Sequence, residues 1–192
     1  MGGFTLRKAT VLAVILLALG AGTALAADSS SSSTSAGSEA TTRKAELVRT
    51  WRHRVVKARK IAVRRAHLVG IHPRIRKYER NTTSPAYLLW LRNSWRSRGR
   101  GWFAYYLQVR PGLMCIHSYE GAWNAYNPAG YYGGLQMDWS FMRTYGYDKL
   151  VKYGGRDARY WSINDQLAVA IRAIRTRGYT PWSTTASMCG LL

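Results

Sequence analysis

The sequence predicts an α+β fold: a mostly helical domain with one short β-hairpin, preceded by a signal peptide, a linker and a basic helical arm. Three observations carry this. "SINDQLAVAIRAIRTRG" has apolar residues Leu167, Ala170, Ile171 and Ile174 at helical spacing, between a capping Ser162 and a stopping Gly178. "NPAGYYGG" sets Tyr131 and Tyr132 between turn-forming glycines and an Asn-Pro step. The third is a shift in composition near Gly112, where a chain dense in Lys and Arg becomes rich in aromatics and glycine.

From the N-terminus, Arg7 and Lys8 precede the apolar run "VLAVILLALG", and Ala24 and Ala26 follow it. A basic region, a short apolar core and an A-x-A site make residues 1–26 a signal peptide. Val11 to Leu19 is shorter than the roughly 20 residues of a membrane span, so an uncleaved anchor is the second reading. Either way the rest of the chain is expected outside the cytoplasm. Residues 27–42 contain "DSSSSSTSAGSEATT", without an aromatic or large aliphatic side chain, and read as a flexible linker.

Residues 43–110 form the basic arm. Leu47, Trp51 and Val55 recur four apart on a first helix, which Gly70 and Pro73 should end. A second helix starts at Ser84 as N-cap with Pro85 in its first turn, and Gly99 should close it. Tyr87, Leu88, Trp90, Leu91 and Trp95 give that helix an apolar surface. The chain holds 29 Lys and Arg against 9 Asp and Glu, a net charge of +20, and so should attract anionic surfaces in a salt-dependent way. The arm is therefore either a solvated, partly disordered segment or an electrostatic tether to an anionic polymer, with transient contact to a membrane surface. Export argues against a nucleic-acid partner.

Residues 111–192 form the last domain. "PGLMCIHSYEGAWN" reads as a helix with Leu113, Ile116 and Ala122 on its apolar face, and "SFMRTYGYDKLVKYGG" as a broken helix. Cys115 and Cys189 are an even pair in an exported chain and so a disulfide candidate. Closing so long a loop contributes about 4 kcal/mol in the chain-entropy model. Two cysteines without further ligands do not make a zinc site, and no phosphate loop or dinucleotide fingerprint is present. No metal or cofactor is expected.

Glu120 stands near the end of a helix, with Tyr119 and Trp123 close by and the glycine-rich "YYGGLQMD" across a turn. Bare glycine backbone lets a flat ligand approach. A carboxyl surrounded by aromatics is favoured in its acid form and can donate a proton, as cleavage of a glycosidic bond requires. Trp123 and Tyr132 suit stacking on sugar faces, and the Gln136 amide suits hydrogen bonds to hydroxyl or N-acetyl groups. His117, one turn from Glu120, is within reach of it, although a lone His more often is a satisfied surface or core residue, and Trp182 reads as packing near the disulfide.

"CIHSYEGAWNAYNPAGYYGGLQMD", with "QLAVAIRAI" and "PWSTTASMCGL", resembles the transglycosylase-like domain of resuscitation-promoting factors over roughly Met114 to Leu192. The resemblance implies a lysozyme-like fold, Glu120 as catalytic acid, a Cys115–Cys189 bond, and peptidoglycan as the substrate; the chain is expected to act as a monomer. The chain departs from that family after the hairpin, where Phe141-Met142 stands in place of a Thr-Trp pair. The same stretch introduces Asp138. A Gln-x-Asp step here is similar to goose-type lysozymes, whose aspartate helps position water; the other reading is a surface hairpin aspartate. With Glu120 alone, the muramic 6-hydroxyl completes the cut and leaves a 1,6-anhydro product; with Asp138 activating water, cleavage is hydrolytic. The rival to an enzyme is a non-catalytic wall- or glycan-binding module.

Overall fold

The structure is a computed structural model and describes residues 33–192. The signal peptide over 1–26 and the linker up to residue 32 lie outside the described residues. Helices run over Ser33–Leu68 (α1), Lys77–Asn81 (α2), Pro85–Glu120 (α3), Trp139–Tyr145 (α4), Tyr147–Lys152 (α5), Ile163–Arg177 (α6) and Ser183–Met188 (α7). One antiparallel hairpin pairs Tyr126–Asn127 (β1) with Tyr131–Tyr132 (β2). Among the described residues the fold is thus mostly helical with a single small hairpin, compatible with an α+β class. No helix of the described residues is long and apolar enough to cross a membrane.

Three boundaries differ from the sequence reading. Residues 33–42, read as linker, are the first turns of α1. Once a helix is nucleated each further residue adds a hydrogen bond, so Ser and Thr do not by themselves stop it. The second helix does not end at Gly99, and the arm and the last domain share one element: α3 passes through both Gly99 and Pro111.

Gly99 serves the approach of α1, not the end of a helix. A Cβ there would lie 2.9 Å from the Cα of Ala62. Ala58, Ala62 and Val55 of α1 and Leu88, Leu91 and Trp95 of α3 bury one another around this crossing. The Trp95 indole N–H donates to Glu79 Oε2 of α2 at 3.1 Å, satisfying a fully buried ring. Pro111 removes one helical donor, at a cost of about 3 kcal/mol in an isolated helix. Here Val109, Leu113 and Ile116 on either side of it are buried against α6 and α7, which offsets that cost.

The larger core lies around α6, whose residues Leu167 to Ile171 are all buried. Polar contacts fix α6 to the rest. Arg172 donates to the carbonyl of Gly70 at 3.1 Å, to that of Tyr145, and to Asp148 at 2.7 Å. One guanidinium thereby joins the end of α1 to α4, α5 and α6. Asp165 pairs with Lys149 at 2.8 Å and Lys152 at 2.7 Å. Burial works to raise both carboxyls, but it is outweighed: Arg172 and Lys149 hold Asp148 at about 2, and Lys149, Lys152, Tyr153 and Ser162 hold Asp165 lower still.

Candidate active site

Glu120 is the last residue of α3, and Gly121 ends the helix with a positive φ of 128°. Leu113 and Ile116 bury the face of the helix that leads to it. Cys115, five residues earlier, is bonded to Cys189 at the end of α7, with Cα atoms 6.0 Å apart. That bond brings α7 against the end of α3, and the Thr185 hydroxyl donates to Glu120 Oε1 at 2.8 Å. Glu120 is half-buried. Among the described residues no Lys, Arg or His forms an ion pair with it.

His117 turns elsewhere. Its Nδ1–H donates to the carbonyl of Gly134 at 2.9 Å, and its ring stacks on Trp123 with centroids 3.9 Å apart. Gly134 is where the two rings close on the hairpin loop: a Cβ there would sit 2.6 Å from the Trp123 ring and 2.7 Å from His117 Nδ1. Gly133, with φ of 76°, is equally covered, since its Cβ would meet Gln166 Oε1 at 2.5 Å. The bare backbone expected to admit a flat ligand is therefore packed under Gln166, Trp123 and His117. Of the hairpin glycines considered for approach, Gly130 at the β-turn faces open space.

Gln136 and Asp138 share a pocket of about 260 Å³ with Tyr131, Phe141, Arg177 and Trp182. Gln136 adopts φ of 46°, a left-handed conformation uncommon outside glycine, and its amide donates to the Gly133 carbonyl at 2.8 Å. Asp138 is the N-cap of α4, its Oδ1 accepting from the Phe141 N–H at 2.6 Å. Glu120, Trp123 and Tyr132 do not line this pocket. The link to Glu120 runs through Thr185, whose hydroxyl also lies 3.3 Å from the Trp182 carbonyl. Trp182 is buried, as read from the sequence, and donates its indole N–H to the Leu135 carbonyl at 2.7 Å.

Tyr132 belongs to an aromatic face on the hairpin. It packs beside Tyr126 and edge-on to Trp139, whose indole N–H it accepts at 3.2 Å. Arg159 lies over both Tyr126 and Tyr132, at 5.0 Å and 5.3 Å from their centroids, and is held there by Asp157 through two bonds of 2.9 Å and 2.8 Å. Burial works to raise the Asp157 carboxyl, and Arg159 outweighs it and lowers it.

Three contributors escaped the sequence reading. Thr185 holds Glu120, Arg159 braces the tyrosines, and Gln166 ties the loop to α6. The last is a polar residue inside an apolar helical run, a visible signal; the other two are ordinary surface residue types with none. Among the described residues no group of His, Cys, Asp or Glu is arranged to hold a metal. Compared with protein-family models, curated proteins and solved structures, the chain matches none.

Proposed function

We propose that the chain is a secreted enzyme that cleaves peptidoglycan glycan strands, with Glu120 as general acid at the β-1,4 bond between MurNAc and GlcNAc. One observation carries the reading: a half-buried carboxyl, without an ion pair among the described residues, held by Thr185 at a disulfide-braced helix end. In this reading Glu120 gives its proton to the glycosidic oxygen as the C–O bond breaks, and the leaving sugar departs as an alcohol. Tyr132 and Gln136 offer a stacking surface and an amide to the flanking sugars. Trp123 contributes less, because its ring is occupied by His117 and Gly134.

Glu120 does not line the pocket that holds Asp138, which favours the lytic transglycosylase route over the muramidase route. In this route the Glu120 carboxylate left by the first step takes the proton of the muramic 6-hydroxyl, whose oxygen bonds to C1 and closes a 1,6-anhydro ring. The test is mass spectrometry of peptidoglycan digested with the parent protein and with Glu120→Gln. Anhydro-muropeptides from the parent alone support the proposal. Reducing ends move the assignment to hydrolysis with Asp138. Activity retained in Glu120→Gln removes Glu120 from its role, and no product from either leaves a glycan-binding module.

A further inference from the structure

A second concave site lies away from Glu120, between α1 and α3. It is a groove of about 570 Å³, more than twice the volume of the pocket at Asp138. Arg54, Lys57 and Arg65 line it from α1, and Arg92, Arg96 and Arg100 from α3. Arg92, Arg96 and Arg100 are four residues apart, so their side chains repeat about every 6 Å along one side of α3. No carboxylate lines the groove. Glu79, bonded to Trp95 of the lining, is buried.

The floor is small and apolar. Ala58 and Ala62 meet Gly99 there, which gives the cleft its depth but no donor or acceptor. Several of the cations are held in place before any ligand arrives. Arg54 and Arg92 lie over the Trp51 ring at 4.8 Å and 5.8 Å, and Arg65 over Phe103 at 4.9 Å. Guanidinium groups fixed on aromatic faces lose little freedom on binding, and their planar forks match phosphate oxygens.

We propose that this groove binds a linear polyol-phosphate polymer, one phosphate per repeat, lying along the α3 row of arginines. The chemistry separates this ligand from the other polyanions. A single-stranded nucleic acid gains its affinity from aromatic stacking as well as charge, and the one aromatic in the lining, Trp95, is fully buried. Asn and Gln, which read base edges, are absent from the lining. A bilayer presents a flat surface, whereas these cations face into a cleft.

The proposal stands apart from the glycan reading, and its assay contains no sugar strand. Fluorescently labelled oligo(glycerol phosphate) is titrated with the full chain at several salt concentrations. Arg65→Gln/Arg96→Gln/Arg100→Gln should weaken binding by about tenfold or more, and lower the log–log salt slope by about 2, near 0.7 per charge removed. Arg49→Gln/Lys60→Gln/Arg175→Gln removes equal charge from exposed positions outside the groove and should cost less than about threefold. Arg96→Gln alone, at an exposed site that leaves the helix pairing untouched, should give a smaller loss in the same direction. Glu120→Gln should bind as the parent does. Equal losses in the two triple variants would overturn the proposal in favour of bulk charge. Single-stranded DNA or phosphatidylglycerol vesicles that displace the probe at equal phosphate concentration would overturn it in favour of those partners.

Discussion

Replacing Gln166 by Leu tests how the loop at the candidate site is held. The side chain is fully buried. Its Oε1 accepts the Gly134 N–H at 2.9 Å, and its Nε2 donates to the carbonyls of Trp123 at 2.9 Å and Ala158 at 2.8 Å. Leu nearly preserves the volume and strands the Gly134 N–H and the Trp123 carbonyl, while the Ala158 carbonyl keeps the Trp161 N–H at 3.1 Å. Each buried group left unpaired costs about 1–3 kcal/mol, so two of them, net of the transfer gain from an apolar side chain, should cost about 1–4 kcal/mol. Urea unfolding followed by circular dichroism reads this directly. With a slope of about 2 kcal/mol/M the midpoint should fall by about 0.5–2 M. Hydrogen exchange gives a local readout, since the Gly134 amide should lose protection more than amides in the middle of α6. A loss below about 1 kcal/mol, with Gly134 still protected, would refute the idea that one amide fastens the loop to α6.

Two further outcomes follow from the same geometry. Cys115→Ala/Cys189→Ala, or reduction of the parent protein, should cost about 4 kcal/mol and lower Tm by about 8–16 °C in a thermal scan, because the bond closes a loop of 74 positions. An unchanged Tm would show that α7 docks on α3 without it. The second concerns acid. Asp148 and Asp165 are both held below the ordinary carboxylate value, so the stability they give is complete above about pH 4 and is lost as pH falls toward 2. Urea midpoints between pH 6 and 2 should show this fall, and Asp148→Asn should flatten it in that window.

Much of the secondary structure was legible because it rests on local rules. Ser84 accepts from the Tyr87 N–H and Ser162 from the Asp165 N–H, the two caps that the sequence marks, and Gly178 ends α6. What was not legible depends on partners distant in the chain. Gly99 reads as a stop signal until Ala62 is known to lie against it. The glycines at 133 and 134 suggest room for a ligand, yet Gln166 and the His117–Trp123 pair fill that room. The stripe at Leu47, Trp51 and Val55 was only partly apt: Leu47 is exposed, and the buried line continues from Val55 through Ala58, Ala62 and Ala66. Alanines between arginines carry a weak hydrophobic signal, but they suit a close helix crossing. Of the site, Glu120 could be singled out from its neighbourhood, while its hydroxyl partner, Thr185, lies 65 residues away and had no such mark.

The continuity of α3 makes the molecule a gauge. Arg96 and Glu120 ride on one uninterrupted helix, and at about 1.5 Å per residue they stand about 36 Å apart along it. Neither end can approach the other without breaking the helix between them. Whatever lies among the arginines and whatever reaches Glu120 are kept at a set offset.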